Sequence, residues 1–345
     1  MLFEVIKILT LTAVSFVVAI IWMPILLRLL IKYKMGKSIR DDGTTPIFSK
    51  LHAGKAGTPT MGGILVWATT AFLALFFYYA PLLLDWFGNW NFLTRSQTLL
   101  PLGTLVFSAI VGFIDDLFNV KRMGAKSGGL KMYDRLVLYT VIAIVGAWWF
   151  FYKLDWDLIH VPFFGDFNIG YWYIPLFIFI IVATAFSVNE TDGLDGLAGG
   201  TLMTSFVAYG VIAYTQGKYD LAAFCGVIAG ALLAFLWFNI FPAKFFMGDT
   251  GAMSLGVTLG VVAMLTNSVL LLPIIGVVFV IESATVLVQM LSKKIRGKKI
   301  FLSTPIHHHF EAKGWAEATI VMRFWVISAL GATIGLIVSF IDKAF

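Results

Sequence analysis

Residues 8–31 read ILTLTAVSFVVAIIWMPILLRLLI, an apolar stretch whose only charge is Arg28. About 20 apolar residues in helical form cross the roughly 30 Å hydrocarbon core of a bilayer. The stretch therefore predicts a membrane-spanning helix. It is too long for the apolar region of a signal peptide, and no small-residue cleavage site follows, so it reads as a retained span. Nine further apolar segments follow, at 61–80, 98–114, 136–152, 171–188, 197–215, 221–241, 251–266, 269–291 and 322–341. They are continuously apolar, whereas strands of a membrane barrel alternate. Two are unusual: 251–266 is short and glycine-rich, and 269–291 contains Pro273 and Glu282, which predict a kink or a break.

The composition agrees. Of 345 residues, 59% are hydrophobic and 13% charged, against about 45–50% and 25% in soluble domains. A soluble enzyme, a disordered chain and a disulfide scaffold are excluded, and the single cysteine, Cys225, permits no internal disulfide. Ten spans of about 20 residues leave little for loops, so the expected fold is an all-α integral membrane protein, a single polytopic domain over 1–345. A net charge of +6 would suggest nucleic acid in a soluble chain. Here it marks loops, and no nucleic-acid partner is expected. With ten spans the termini share one side. That side carries only Lys7, Arg95, Lys153, Lys218 and Lys343 of the 25 Lys and Arg. The positive-inside rule then makes the other loops cytoplasmic and puts both termini outside. Of the outer loops, 81–97 reads as interfacial turns, and 153–170 as a short hairpin around Gly165-Asp166.

Five polar clusters sit at or beyond the ends of spans on the basic side. The first, Lys55-Ala56-Gly57-Thr58-Pro59-Thr60-Met61-Gly62-Gly63, turns tightly into a span. Free N–H groups at such a start, with Lys55, suit an anion, though taken alone a simple loop and helix cap is the better reading. The second is Asp115-Asp116. Acids at a helix C-terminus oppose the macrodipole, which favours pairing, metal or a general base over a merely solvated end. The third, Asn189-Glu190-Thr191-Asp192-Gly193-Leu194-Asp195-Gly196, packs oxygen ligands suited to Mg²⁺ or sugar hydroxyls, without the spacing of an EF-hand. The fourth joins Asn239 to Phe246-Met247-Gly248-Asp249; Asp249 is a candidate metal ligand, and Phe246 a stacking platform or an interfacial anchor. The fifth is Pro305-Ile306-His307-His308-His309-Phe310-Glu311. Consecutive histidines ligate one metal poorly, and hydrogen bonds to phosphate suit them better.

Basic residues with Mg²⁺-type acids on one face of a membrane bundle are the parts of a phosphoryl-transfer site. No P-loop is present, and the lack of an obvious acceptor nucleophile suggests that a lipid supplies it. A transporter would distribute polar groups along a path between the two faces; here the clustered acids lie at one face, and Glu282 is the main exception by position.

These five motifs, in this order, resemble the MraY family, the phospho-N-acetylmuramoyl-pentapeptide transferases. The double Asp and the Asp-Gly clusters alone fit the wider polyprenyl-phosphate N-acetylhexosamine-1-phosphate transferase superfamily, including WecA-like enzymes that use UDP-GlcNAc. The triple His with its flanks is the more specific part. The resemblance implies ten helices, a homodimer and a cytoplasm-facing site in the bacterial inner membrane. It implies transfer of phospho-MurNAc-pentapeptide from UDP-MurNAc-pentapeptide to undecaprenyl phosphate with Mg²⁺, giving lipid I and UMP, in one step or through a covalent phosphoryl intermediate. By motif, Asp249 is the Mg²⁺ ligand and a catalytic residue with Asp115 and Asp116. Lys55, Thr58, Asn189, Asp192, Asp195 and Asn239 line the substrate site, Phe246 stacks on uracil, and His307, His308 and His309 meet the diphosphate or sugar. Position 190 is Glu where the family usually has an apolar residue, and 119 is Asn where many relatives show a basic residue or Asp. Lys126, Lys131 and Arg135 are the candidates to stand for the family's substrate-binding lysines.

Overall fold

The computed structural model describes residues 1–36, 53–55, 57–82, 84–121, 123 and 129–344. Lys126 and the Ser127-Gly128 stretch lie outside the described residues. The expected spans appear as helices α1 (Leu2–Lys32), α2 (Ile64–Tyr79), α3 (Leu99–Val120), α4 (Met132–Lys153), α5 (Tyr173–Thr191), α6 (Leu197–Thr215), α7 (Tyr219–Asn239) and α8 (Gly248–Leu265). A bent pair follows, α9 (Leu272–Ile275) and α10 (Val277–Arg296), then the short α11 (Ile306–Ala312) and the long α12 (Glu317–Ala344). Among the described residues nine helices are long and apolar enough to span a bilayer, or ten if the bent pair makes one span. The chain is a multi-pass, all-α membrane protein.

The bent pair turns by 83°, and its break lies at Gly276, between the two helices. Pro273 sits in the first turn of α9, where its missing N–H is not needed. Glu282 is fully buried within α10. The hairpin also differs in detail from the sequence expectation. Its strands β1 (Leu158–Val161) and β2 (Gly165–Asn168) pair with Val161 opposite Gly165, so the turn is 162–164 and Gly165 opens the second strand.

Helix α8 is the centre of the bundle. It packs against α3, α5, α2 and α6, and every residue in it except Asp249 is buried. Its sequence explains this. Lipid gives no hydrophobic drive for helices to associate, so small residues that admit close backbones make the contacts. A Cβ on Gly251 would lie 2.7 Å from the Gly63 Cα, and one on Gly256 would lie 2.9 Å from the Ala185 Cα. Ser254 and Thr258 turn their hydroxyls back onto the carbonyls of Thr250 and Ser254, so no side-chain polar atom is stranded.

Gly112 of α3 makes a very close approach, with a Cβ there falling 2.3 Å from the Asp249 carbonyl oxygen. Gly112→Ala should therefore push α3 off α8 at a cost of about 1–3 kcal/mol, lowering the thermal midpoint in detergent. Gly103→Ala, in the same helix with nothing within 4 Å, should leave that midpoint unchanged or raise it. Equal midpoints for the two variants would contradict the packing described.

Candidate active site

Four of the polar clusters meet where α8 begins, and the histidine cluster joins the third of them at Gly193. Gly248 enters the helix at φ +74°, and a Cβ there would press on Asp116 Oδ2 at 2.6 Å. The next residue, Asp249, is the one position of α8 left partly exposed. Its carboxylate lies at a helix N-terminus, where the dipole favours negative charge.

Arg135, from the first turn of α4, connects this carboxylate to two other helices. Its Nη2 lies 2.8 Å from Asp249 Oδ2 and its Nε 2.7 Å from Asp115 Oδ2. Nη1 donates to Asn189 Oδ1 at 3.1 Å, and Asn189 Nδ2 donates to Asp249 Oδ1. The Leu130 N–H donates to Asp115 Oδ1 at 2.6 Å. One guanidinium thus ties α3, α5 and α8 together. Lys131 instead sits at the exposed start of α4, its N–H donating to Asp134.

Asp116 faces the other way. It is buried and accepts the Thr250 N–H at 3.0 Å, so an acid that opposes its own helix dipole is stabilised by the N-terminus of another. Asp192 accepts the Gly248 N–H at 3.2 Å. Asp195 pairs with Lys55 at 2.7 Å and accepts the Ala243 N–H. Lys55 also pairs with Glu317, which accepts the Asp195 N–H. The Lys55 ammonium lies 5.7 Å from the Phe241 ring and 5.9 Å from the Phe246 ring. Asn239 is buried and holds two loops, accepting from Gly196 N–H and donating to the Phe245 carbonyl. Thr58 closes the turn after Lys55 through its N–H, and the Pro59 carbonyl accepts the Phe246 N–H at 2.8 Å.

The three histidines diverge, as successive residues on a helix must. His307 is fully buried, and its Nδ1 is 2.9 Å from Glu282 Oε2. Its Nε2 has no partner among the described residues and lies where only glycine fits at 193, since a Cβ there would meet it at 2.2 Å. His308 pairs with Glu311 at 2.6 Å, and His309 accepts the Leu302 N–H. Burial and Lys313 lower the pKa of His309. Burial alone would also lower that of His307, but the charge and hydrogen bond of Glu282 outweigh it, and the ring holds its proton above the ordinary value of 6.5.

Three members of this network escaped the motif reading as partners: Arg135 in its specific place, Glu282 and Glu317. A carboxylate in an apolar helix is itself a functional signal, and it marked Glu282 without naming His307.

The cleft suits a hard divalent ion. Among the described residues no three His, Cys, Asp or Glu side chains cluster closely enough to enclose a metal. Mg²⁺ does not need that, because one or two carboxylates, waters and substrate phosphates complete its shell. Asp115, Asp249 and the Asn189 carbonyl oxygen already converge on one cationic group, the Arg135 guanidinium.

Comparison with known proteins decides the family. The phospho-N-acetylmuramoyl-pentapeptide-transferase signature 1 matches residues 55–65, and the Glycosyl transferase family 4 profile matches 98–267. A phospho-N-acetylmuramoyl-pentapeptide-transferase of Clostridium perfringens is 40% identical over 94% of this chain and 96% of its own. Those of Geobacillus thermodenitrificans and Chloroflexus aggregans are 38% and 39% identical over 94% and 88% of this chain, and 95% and 82% of their own. The chain belongs to the phospho-N-acetylmuramoyl-pentapeptide-transferase family. The signature falls on the first polar cluster, and the profile runs through Asp115 to Asp249. In this transferase the triple His lies beyond both matches and reaches the cleft through α11.

The Glu282 pairing has a pH signature. Because the folded-state pKa of His307 is raised, the pair's contribution to stability is complete below about 6.5 and is lost as the pH rises through the folded value. Glu282→Gln should lower the pH at which His307 deprotonates, read by ¹⁵N NMR of histidine-labelled protein. An unmoved titration would mean that Glu282 does not hold the ring's charge.

Proposed function

We propose that this protein transfers phospho-MurNAc-pentapeptide from UDP-MurNAc-pentapeptide to undecaprenyl phosphate, forming lipid I and releasing UMP. The observation that carries the reading is the convergence of Asp115, Asn189 and Asp249, from three helices, on one guanidinium at the otherwise sealed α8. The names of the relatives supply the transferred group, phospho-N-acetylmuramoyl-pentapeptide, which favours this donor over UDP-GlcNAc. The acceptor is a lipid, which fits a cleft at the end of a membrane bundle.

An oxygen of the acceptor phosphate attacks the β-phosphorus of the donor. A new P–O bond forms there while the bond to the α-phosphate oxygen breaks, and UMP departs with that oxygen. Asp115 orients the acceptor phosphate or takes its proton. Phe246 stacks on uracil beside Lys55, and Lys55 neutralises phosphate charge. Arg135 and the His307 ring face the diphosphate, His307 offering its Nε2–H. His308 and His309 belong to the same helix turn. Both substrates are anionic, so a cation in addition to Lys55 and Arg135 fits the chemistry. Asp249, with Asp115 and Asn189 beside it, would hold Mg²⁺, which when bound neutralises the diphosphate and the departing UMP.

The reading places the protein in the bacterial inner membrane, with the basic loops and the cleft in the cytoplasm, both termini outside, and the chain as one polytopic domain. It includes a homodimer; a strictly monomeric mass in mild detergent would remove that element.

UMP release from purified protein with both substrates tests the reaction. Asp249→Asn should reduce the rate at least about a hundredfold and weaken its Mg²⁺ dependence. Asp115→Asn should lose turnover while donor binding, measured by calorimetry, persists. Wild-type rates in either variant would remove that residue from the chemistry.

A further inference from the structure

Helix α8 ends at Leu265, roughly 24 Å along its axis from Asp249. A cavity of about 610 Å³ opens there, among the β1–β2 hairpin, the α6–α7 turn, the segment after α8 and the end of α12. It is separate from the catalytic cleft and owes nothing to the reading above.

Its carboxylates are already engaged. His160 lies between Asp166 at 2.7 Å and Asp342 at 2.6 Å, and the other oxygen of Asp342 accepts the Phe163 N–H. Its two lysines form no ion pair among the described residues. Lys218 donates to the Leu265 carbonyl and Lys343 to the Thr215 hydroxyl. An ammonium has three donors, so each has donating capacity beyond that one bond, the Lys218 ammonium also lying 5.5 Å from the Trp156 ring. Burial and the neighbouring Lys343 charge bring the pKa of Lys218 down to about 8. The two cations therefore repel one another in a space where an anion would relieve both.

Gln216 adds a second requirement. Its Nε2 donates to the Thr266 carbonyl, which fixes the amide, and its buried Oε1 has no partner among the described residues. A ligand with both an anion and a hydroxyl or amine donor satisfies all three side chains. Leu270, which lines the cavity, is 41% exposed, and the neighbouring hairpin tip carries Phe163 and Phe164, 59% and 78% exposed, as suits the membrane interface.

We propose that this cavity binds a phosphate group bearing a hydroxyl or amine, held by Lys218 and Lys343 with Gln216, and presented by a phospholipid headgroup or as a free phosphate. The test is hydrogen exchange of residues 158–168 and 266–271 in the full chain, titrated separately with dihexanoylphosphatidylglycerol and with inorganic phosphate. Protection should saturate, and Lys343→Gln and Lys218→Gln should each raise the midpoint about tenfold, as expected for a lost charge-assisted hydrogen bond. Saturation by the lipid alone assigns a headgroup; saturation by phosphate at a similar midpoint assigns the free anion. No protection by either probe, or the wild-type midpoint in Lys343→Gln, overturns the proposal. Lys343 is exposed at the end of α12, so its variant tests the site even if Lys218→Gln, which loses the cap on α8, fails to fold.

Discussion

The site depends on a single guanidinium held between acids that would otherwise repel. Asp115 and Asp249 come from α3 and α8, and each sits within 2.8 Å of an Arg135 nitrogen. Two largely desolvated carboxylates this near one another are unstable without a cation between them. Arginine suits the position better than lysine because its planar fork addresses several oxygens at once. Removing one partner from such a buried network costs about 3–5 kcal/mol, so Arg135 fixes the relative placement of the helices as well as the charge of the cleft.

That arrangement is possible because α8 is made of small residues. Gly63, Gly112 and Gly248 each stand where a Cβ would meet the first turn of α8 or Asp116 at 2.6 Å or less. The close approach of backbones lets carboxylates on separate helices reach one arginine. The break at Gly276 performs a comparable service for the histidines. It turns α10 away from α9 by 83°, and the apolar contacts of Ile306 with Leu194, Val278, Ile320 and Val321 seat α11 beside the Asp192–Gly196 turn. The buried Nε2 of His307 is then left at Gly193.

Much of this was legible in the sequence. Continuous apolar runs give spans directly, since in lipid the backbone must satisfy itself, and each predicted segment corresponds to a helix or to the bent pair. The acids were visible because charge near a bilayer is costly without a partner. What the sequence withheld was pairing across distance. Nothing local distinguishes Arg135 from Lys131, four residues apart. Which one enters the cleft depends on how α4 is rotated against α5, and the loop ahead of it gives no periodicity to read. The kink was expected from Pro273, yet proline in a first turn continues a helix, and Gly276 makes the break. The hairpin's register shifted for a similar reason: the turn falls on 162–164, ahead of the glycine that marked it.

The double Asp shows why a motif alone assigns roles poorly. Adjacent residues on a helix point about 100° apart, and here the two carboxylates do different work. Asp115 looks into the cleft toward Arg135, while Asp116 accepts the N–H of Thr250. Asp116 thereby anchors the N-terminal turn of α8, one residue from Asp249. The buried Asp116 cannot be exchanged for an apolar residue without leaving the Thr250 N–H unsatisfied. One acid of the pair faces Arg135 and the other holds the helix that carries the next acid, so both serve a single demand: a carboxylate must stand at the mouth of an otherwise sealed helix.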